Sequence, residues 1–231
     1  MDRIPPPEPI DGVLLDLHST LVDQGSARDW LGLALAACPR ELPADHRDAL
    51  VEFLDQIWEH GRVHDPDSLR DLSPADHRRV FHLLLEEGPD VDDGLADALY
   101  ATLLDTWTAY SDSAPVLRAL RARGIRTAVL SNVGVDVRPV LARGGLLDLV
   151  DAVVLSCEVG VVKPDPGIFE AGLAALGVPA SRCLMVGDAA KDDAGATALG
   201  IRTLLLPRTR GPVHGLGVVV SLCDGARAPQ A

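Results

Sequence analysis

Three short apolar runs along the chain each end in polar side chains. The polar residues that follow the runs are Asp16, Ser131 with Asn132, and Asp188. Apolar runs of four to eight residues bounded by polar turn formers are typical of parallel strands that are covered on both faces. Because ligands bind beyond the carboxyl ends of such strands, we expect these side chains to lie near one another.

The chain from residue 112 onward alternates between helical and strand patterns. Helices are predicted over 114–123, 135–142, 168–176 and 193–199, and strands over 126–130, 152–155, 184–186 and 202–206. Glycines follow all four predicted helices, as expected at helix ends. This alternation predicts an α/β fold, a Rossmann-like doubly wound parallel sheet with right-handed crossovers. A further strand is predicted at 217–220, and the proline-broken residues 1–10 are expected to form an arm.

The segment between the first strand and this alternation has a helical pattern and no predicted strand. Apolar residues recur at helical spacing from Trp30 to Leu85, and Gly94 to Tyr110 supplies one more predicted helix. Ser73 followed by Pro74 is a signal for a helix start. We therefore predict a core formed by residues 1–26 and 112–231, with residues 27–111 inserted into it as a helical domain.

Composition narrows the classes of partner. The chain has 231 residues, 47% of them hydrophobic, and a net charge of -13, so nucleic-acid binding through clustered basic residues is not expected. No run is long enough to span a bilayer, and the start does not resemble a signal peptide, so we expect no membrane partner and a cytoplasmic location. The four cysteines form no CxxC pair and are interpreted as small apolar residues.

Four separated motifs resemble those of the haloacid dehalogenase-like (HAD) superfamily. Residues 16–21, Asp-Leu-His-Ser-Thr-Leu, are similar to the family motif DxDGT-L, and Ser131 matches the hydroxyl of the second motif. Lys163, within 160–169, matches the third motif, and residues 187–196 are similar to GDxxxxDxxGA. The order and spacing of all four carry the resemblance, and the helical insertion lies where the family has its α-helical cap.

The resemblance implies a magnesium-dependent hydrolase with Asp16 as nucleophile. An aspartate can attack phosphorus to form an aspartyl-phosphate if a metal and a lysine offset the repulsion between two anions. The implied Mg²⁺ ligands are Asp16, Asp188 and the main-chain carbonyl of His18, with Asp193 acting directly or through water. Lys163 would neutralise negative charge on Asp16 and on the phosphoryl group. The remaining implied site residues are Ser131 and Asn132, which would bind the phosphoryl group, and Thr20, which would orient the nucleophile loop.

His18 departs from the family pattern, because family phosphatases usually have an aspartate there that acts as general acid and base. Imidazole suits both proton transfers near neutrality, so we treat His18 as a candidate acid and base. Ser19 also replaces the usual glycine. Three functions stay open: a phosphatase of a small phosphorylated metabolite, which we favour; a haloacid dehalogenase-type hydrolase; and a non-catalytic binding or regulatory protein. We expect a monomer or a homodimer.

Overall fold

A five-stranded parallel sheet forms the centre of the molecule. The computed structural model describes residues 8–209 and 211–226. In chain order the sheet strands are β1 Gly12–Leu15, β4 Arg126–Ser131, β5 Ala152–Leu155, β6 Cys183–Gly187 and β7 Arg202–Leu205. Their spatial order is β5-β4-β1-β6-β7, which confirms the predicted doubly wound α/β fold. A separate antiparallel pair joins β2 Val22–Asp23 to β3 Thr108–Ala109.

The register of the central strands aligns their carboxyl ends. Leu15 of β1 lies opposite Val129 of β4 and Val186 of β6. Asp16 therefore leaves the sheet between the ends of its two neighbouring strands. Both faces of the sheet are covered, since Val13 and Leu15 belong to one buried apolar cluster and Leu14 to another.

Helices of the sheet domain cover these two faces. They are α6 Ser113–Ala122, α7 Arg138–Arg143, α8 Ser156–Val159, α9 Pro166–Leu176, α10 Ala190–Asp193 and α11 Gly217–Gly225. Short 3₁₀ turns lie at Leu147–Leu149, Ala180–Arg182 and Ala194–Leu199. None of the helices within the described ranges is both long and apolar enough to cross a membrane.

The segment between β2 and β3, residues 24–107, is mainly helical and is called the insertion below. Its helices are α1 Ala27–Ala37, α2 Ala44–Asp55, α3 Ile57–His64, α4 Pro74–Leu85 and α5 Asp93–Ala101, with a 3₁₀ turn at Leu69–Asp71. Ser73 caps α4 by accepting from the Asp76 amide over 3.0 Å, as the sequence signal predicted. The insertion has its own buried apolar cluster, which includes Trp30, Phe81 and Leu99.

Three predicted elements were wrong. Residues 217–220 belong to helix α11 instead of a strand, because the Asp112 carboxylate accepts from the amides of Gly215 and Leu216 at the helix start. Val219 and Cys223, one turn apart, are both buried there. The helix predicted over 94–110 ends at Ala101, and residues 108–109 pair as β3. Residues 27–111, for which no strand was predicted, therefore contain one short strand.

Two further details differ from expectation. The helix predicted over 193–199 is a 3₁₀ helix from Ala194, because the chain must turn tightly after Asp193. Of the predicted arm, residues 1–7 lie outside the described residues, whereas Ile10 is 2% exposed and belongs to the core.

Candidate active site

Lys163 joins two carboxylates beyond the carboxyl end of the sheet. Its Nζ donates to Asp16 Oδ1 over 2.6 Å and to Asp193 Oδ1 over 2.7 Å. All three groups are buried: Asp16 is 7%, Lys163 4% and Asp193 0% exposed. Separating the partners of a buried ion pair would leave unpaired charges in a medium of low polarity. The ion pairs therefore hold the three side chains together.

Asn132 fixes the main chain of Lys163. The Lys163 amide donates to Asn132 Oδ1 over 2.7 Å, and Asn132 Nδ2 donates to the Lys163 carbonyl over 3.0 Å. Both ends of the Asn132 amide are therefore engaged with backbone. The side chain thus positions Lys163, and it also lines the cleft described below, so its expected contact with a phosphoryl group stays a prediction. Ser131 is buried at the end of β4 and lines the cleft described below.

Asp193 is held by its second oxygen as well. Oδ2 accepts from the Ala189 amide over 2.9 Å. Gly187 lies so close that a Cβ built on it would be 2.0 Å from Asp193 Oδ2, so only glycine fits there. With one oxygen on Lys163 and the other on an amide, Asp193 orients the lysine, and its part in metal binding, directly or through water, stays a prediction.

The loop after Asp16 wraps tightly around the carboxylate. Thr20 Oγ1 donates to Asp16 Oδ2 over 3.2 Å, so each carboxylate oxygen has a donor. Ser19 adopts a positive φ of 61°, the conformation that glycine would adopt without strain. His214 Nε2 donates to the Ser19 carbonyl over 2.6 Å and holds this turn.

His18 belongs to the same loop, and its ring nitrogens contact side chains other than that of Asp16. Its ring lies 5.0 Å from that of Trp107, centroid to centroid. Nε2 is 3.0 Å from Gln24 Oε1, and Nδ1 is 3.4 Å from Ser19 Oγ. Burial lowers the pKa of His18, and the positive charge of Arg208 lowers it further, so the ring is neutral at physiological pH.

Asp16, Lys163 and Asp193 form a buried triplet in which two acids share one base, and this sharing affects the pKa values of Asp16 and Lys163. Burial raises the pKa of Asp16, against the opposing effect of the Lys163 ammonium. Burial also opposes the charged form of Lys163, yet the carboxylates of Asp16 and Asp193 outweigh it and raise its pKa. The lysine therefore stays protonated while the site is intact, and its charge favours ionised Asp16.

Asp188, the expected metal ligand, is paired with Arg208. Arg208 Nε donates to Asp188 Oδ2 over 2.5 Å, and the carboxylate side chain is 4% exposed. Asp16, Asp188 and the His18 carbonyl offer the oxygen donors that Mg²⁺ prefers, and Asp188 already binds a cationic group, so the donor chemistry fits. Within the described ranges, however, no three side chains of His, Cys, Asp or Glu come together as a metal group. Because Arg208 contacts Oδ2 of Asp188, it would compete with a metal ion for this carboxylate.

A cleft of about 230 Å³ lies over these groups, between the sheet domain and the insertion. Asp16, Ser131 and Lys163 form its floor, and Trp58 and Arg70 are among the insertion residues of its wall. Acidic side chains outnumber basic ones around the cleft. The basic ones are Arg62, Arg70, Lys163, Lys191 and Arg208.

The insertion touches the sheet domain closely on one side of the cleft. Ser156 Oγ donates to the Asp71 carbonyl over 2.5 Å. A Cβ on Gly134 would lie 2.0 Å from the Arg70 carbonyl oxygen and 2.6 Å from His77 Cβ. A side chain at position 134 would therefore force the two parts of the molecule apart.

Arg208 and Gln24 are among the cleft residues that the sequence reasoning missed. Arg208 follows the end of β7, and the rule that polar groups after strand ends converge could have found it. Gln24 follows a strand of only two residues, β2, which has too few positions to give a pattern.

An aspartate and a lysine at the carboxyl edge of a parallel sheet, beneath a helical insertion, define an α/β protein equipped for nucleophilic catalysis. The chain belongs to the haloacid dehalogenase-like hydrolases, whose family model matches residues 10–200. It is 31% identical over 212 residues to haloacid dehalogenase-like hydrolase domain-containing protein 3 of Danio rerio, covering 88% of this chain and 87% of that protein.

Other relatives include enzymes of two activities. The chain is 34% identical over 227 residues to phosphoglycolate phosphatase of Rhodospirillum rubrum, covering 93% of this chain and 87% of that protein. The crystal structure of a 2-haloacid dehalogenase from Pseudomonas syringae pv. Tomato DC3000 is similar with a TM-score of 0.62 at 28% identity, covering 94% of this chain and 99% of that chain. The family thus includes phosphatases and dehalogenases among the relatives of this chain.

Proposed function

We propose that the protein is a phosphatase of a small phosphorylated metabolite that acts through a covalent aspartyl-phosphate on Asp16. The contact that carries the proposal is the 2.6 Å hydrogen bond from Lys163 Nζ to Asp16 Oδ1 on the floor of a cleft. Burial raises the pKa of Asp16 to about 7, and the Lys163 ammonium opposes this effect and so favours the ionised nucleophile. The ammonium also places a positive charge where a phosphoryl group would arrive. The similarity to a phosphoglycolate phosphatase supports the same reaction class.

The reaction has two steps. A carboxylate oxygen of Asp16 bonds to phosphorus as the bond from phosphorus to the leaving oxygen breaks, and the leaving group takes up a proton. Water then adds to phosphorus, loses a proton and releases inorganic phosphate with Asp16 restored. Lys163 stabilises negative charge on the phosphoryl oxygens in both steps, and the Ser131 hydroxyl is the polar group of β4 that faces them across the cleft. His18 is the candidate group for both proton transfers.

Magnesium dependence is part of this proposal. Asp16, Asp188 and the His18 carbonyl would hold the ion, which would supply positive charge to offset repulsion between Asp16 and the incoming anion. The excess of acidic over basic side chains around the cleft supports a need for such charge. Arg208, which donates to Oδ2 of Asp188, would compete with the ion for this carboxylate.

We also propose that the insertion acts as a helical cap over the site. The cap predicted from the sequence, residues 27–111, shares residues 27–107 with the insertion, and the rest of the chain is the core. Trp58, Arg70 and Asp71 of the insertion line the cleft together with Asp16, which supports a role in closing it. Exclusion of water during phosphoryl transfer is the usual gain from such closure. A cytoplasmic location and a monomeric or homodimeric state stay predictions.

A dehalogenase is the second candidate. Two observations favour it: His18 takes the place of the family's second acid, and Asp188 is neutralised by a residue of the chain itself. The similarity to a 2-haloacid dehalogenase structure supports it too. In that reaction Asp16 would displace halide from carbon to form an ester, which water would hydrolyse.

One screen separates these functions. Purified protein is incubated with a panel of small phosphate monoesters and with short 2-haloacids, with magnesium or with a chelator, and released phosphate and halide are measured. Phosphate release that needs magnesium and is lost in Asp16→Asn supports the phosphatase. Halide release in chelator, also lost in Asp16→Asn, would replace it with the dehalogenase. Release of neither ion would point to the binding or regulatory function.

A further inference from the structure

Gln24 connects the insertion to His18 through one oxygen atom. Trp58 Nε1, on α3 of the insertion, lies 3.0 Å from Gln24 Oε1, and His18 Nε2 lies 3.0 Å from the same atom. An indole N–H only donates hydrogen bonds, so the atom that it meets must be the amide oxygen of Gln24 and not its NH₂ group. That oxygen only accepts, so His18 Nε2 must be the donor. The ring of His18 therefore carries a proton on Nε2, and Nδ1 lies 3.4 Å from the Ser19 hydroxyl.

The backbone of Gln24 is fixed to the stem of the insertion. Thr106 Oγ1 donates to the Gln24 carbonyl over 2.8 Å, and the β2–β3 pair closes the stem directly beside it. Gly25 has a positive φ of 76°, and a Cβ there would lie 2.8 Å from the Thr106 carbonyl oxygen. The two connections between insertion and sheet domain are thus tightly packed at this point.

His18 is fixed to the same stem. Its ring contacts Trp107, the residue just before β3, and Arg143 donates to the Trp107 carbonyl over 3.0 Å. Of the two groups that donate to Gln24 Oε1, only Trp58 belongs to a helix of the insertion. A rotation of the insertion about the stem would therefore remove the Trp58 N–H while Gln24 and His18 stay together.

We propose that Gln24 is a positioning residue that passes the closed arrangement of the insertion on to His18. This rests on the proposed function, in which His18 transfers protons. With Trp58 in place, Gln24 Oε1 has a fixed orientation, and it holds the His18 ring through Nε2 with Nδ1 as the basic nitrogen. Without Trp58 the amide is free to turn and the His18 ring loses its fixed partner. Proton transfer is then aligned only when the insertion covers the cleft.

The test combines a spectroscopic and a kinetic readout on the full chain. Protein labelled with ¹⁵N-histidine is observed at a single pH at which the ring is neutral, and the His18 signal is assigned by its loss in His18→Ala. Exchange of the Nε2 proton with water is compared among Gln24→Leu, Gln24→Glu and Trp58→Phe. Glutamate keeps an acceptor at nearly the same position, whereas leucine has none. Trp30→Phe is the matched control, because Trp30 Nε1 also donates a hydrogen bond within the insertion, to the Leu99 carbonyl over 3.0 Å.

The expected pattern is specific to the hydrogen bond. Exchange is at least about tenfold faster in Gln24→Leu than in the wild type, several-fold faster in Trp58→Phe, and close to wild type in Gln24→Glu and Trp30→Phe, since a protected proton needs its acceptor. With a phosphate monoester, kcat falls about tenfold or more in Gln24→Leu while KM stays within about twofold, because alignment of a proton-transfer group affects the chemical step. The double variant Gln24→Leu with Trp58→Phe is expected to have a kcat only slightly lower than that of Gln24→Leu alone.

Each contrary result has a definite meaning. Equal exchange in Gln24→Leu and the wild type overturns the role of Gln24, even if phosphatase activity is present. Equal exchange in Trp58→Phe and Trp30→Phe overturns the link to the insertion. If no phosphate monoester is turned over but the exchange pattern holds, the proposed function fails while the positioning of His18 by Gln24 stands.

Discussion

Arg208 neutralises Asp188 through a hydrogen bond of 2.5 Å from Nε to Oδ2, at the place where a divalent cation is proposed to bind. We predict that Arg208→Gln binds Mg²⁺ more tightly than the wild type. The Arg208 side chain is half-exposed, and ion pairs of that kind contribute up to about 1 kcal/mol, so the gain in affinity is about two- to fivefold. Isothermal titration calorimetry without substrate measures it.

The control for this measurement is Arg138→Gln. Arg138 pairs with Glu158 over 2.7 Å away from the cleft, so its removal changes the net charge equally without freeing Asp188. Equal magnesium affinity in Arg208→Gln and Arg138→Gln would contradict competition between arginine and metal.

Replacement of Lys163 removes the only cation that contacts Asp16 among the described hydrogen bonds. We predict that Lys163→Met lowers kcat by about 10²- to 10³-fold, the usual effect of losing one preorganised donor at a developing charge. It also leaves Asp16 and Asp193 as unpaired buried acids, so the free energy of unfolding falls by about 3–5 kcal/mol. Urea unfolding and steady-state kinetics test the two effects.

Arg123→Met is the comparison for that stability effect, because it removes a surface pair with Asp224 at 2.7 Å. Its free energy of unfolding should change by less than about 1 kcal/mol. A loss in Lys163→Met no larger than in Arg123→Met would mean that the buried triplet does not have the stated energetics.

Gly134 lies where the insertion packs closely against the sheet domain. Gly134→Ala would place a Cβ 2.0 Å from the Arg70 carbonyl oxygen, so we predict a loss of about 1–3 kcal/mol in the free energy of unfolding and a higher KM. Gly32→Ala is the matched control, because Gly32 lies in α1 with open space around its added Cβ. There the same substitution should stabilise by up to about 1 kcal/mol. Changes of the same sign in both variants would refute this packing account.

His77 gives the fold a pH dependence of known sign. It is 4% exposed, and burial, with a smaller effect of Arg70, lowers its pKa to about 4. The unfolded chain, with an ordinary pKa near 6.5, binds this proton over a range in which the folded protein does not. The contribution of neutral His77 to the free energy of unfolding is therefore fully present above about pH 6.5, and it is lost as the pH falls toward 4.

The corresponding variant is His77→Gln, measured by urea unfolding at pH 7 and pH 4. Between these values the wild type should lose about 2–3 kcal/mol more than the variant, from a shift of roughly two and a half pKa units. Burial raises the pKa of Asp71 to about 6, which acts in the opposite direction, but that group is present in both proteins and cancels. Parallel losses in wild type and variant would exclude His77 as the source.

The sheet was predictable because most of its strands are runs of apolar residues, bounded by glycine or polar residues. Ala152–Leu155 was predicted with the observed bounds, and the strands predicted at 126–130, 184–186 and 202–206 have ends within two residues of the observed ones. The strand predicted at 217–220 failed because β-branched valines favour a strand locally, whereas the distant Asp112 supplies acceptors for a helix start. Only tertiary contact decides such a segment.

The candidate site was predictable in its residue types but not in its pairings. Strand ends and motif spacing brought Asp16, Lys163 and Asp193 to attention, and the structure places them together. The pairing of Arg208 with Asp188 and the link from Gln24 to Trp58 depend on the conformation of loops, in which no periodicity records which side chains meet.

Covalent chemistry on Asp16 is the claim that the rest of the account requires. The most direct measurement is mass spectrometry of protein mixed with a reactive phosphate monoester and magnesium and quenched in acid within one turnover. We predict one added phosphoryl group on the peptide that contains Asp16, and none in Asp16→Asn. A phosphoryl group on another residue, or release of phosphate with no labelled protein at any quench time, would contradict Asp16 as the nucleophile.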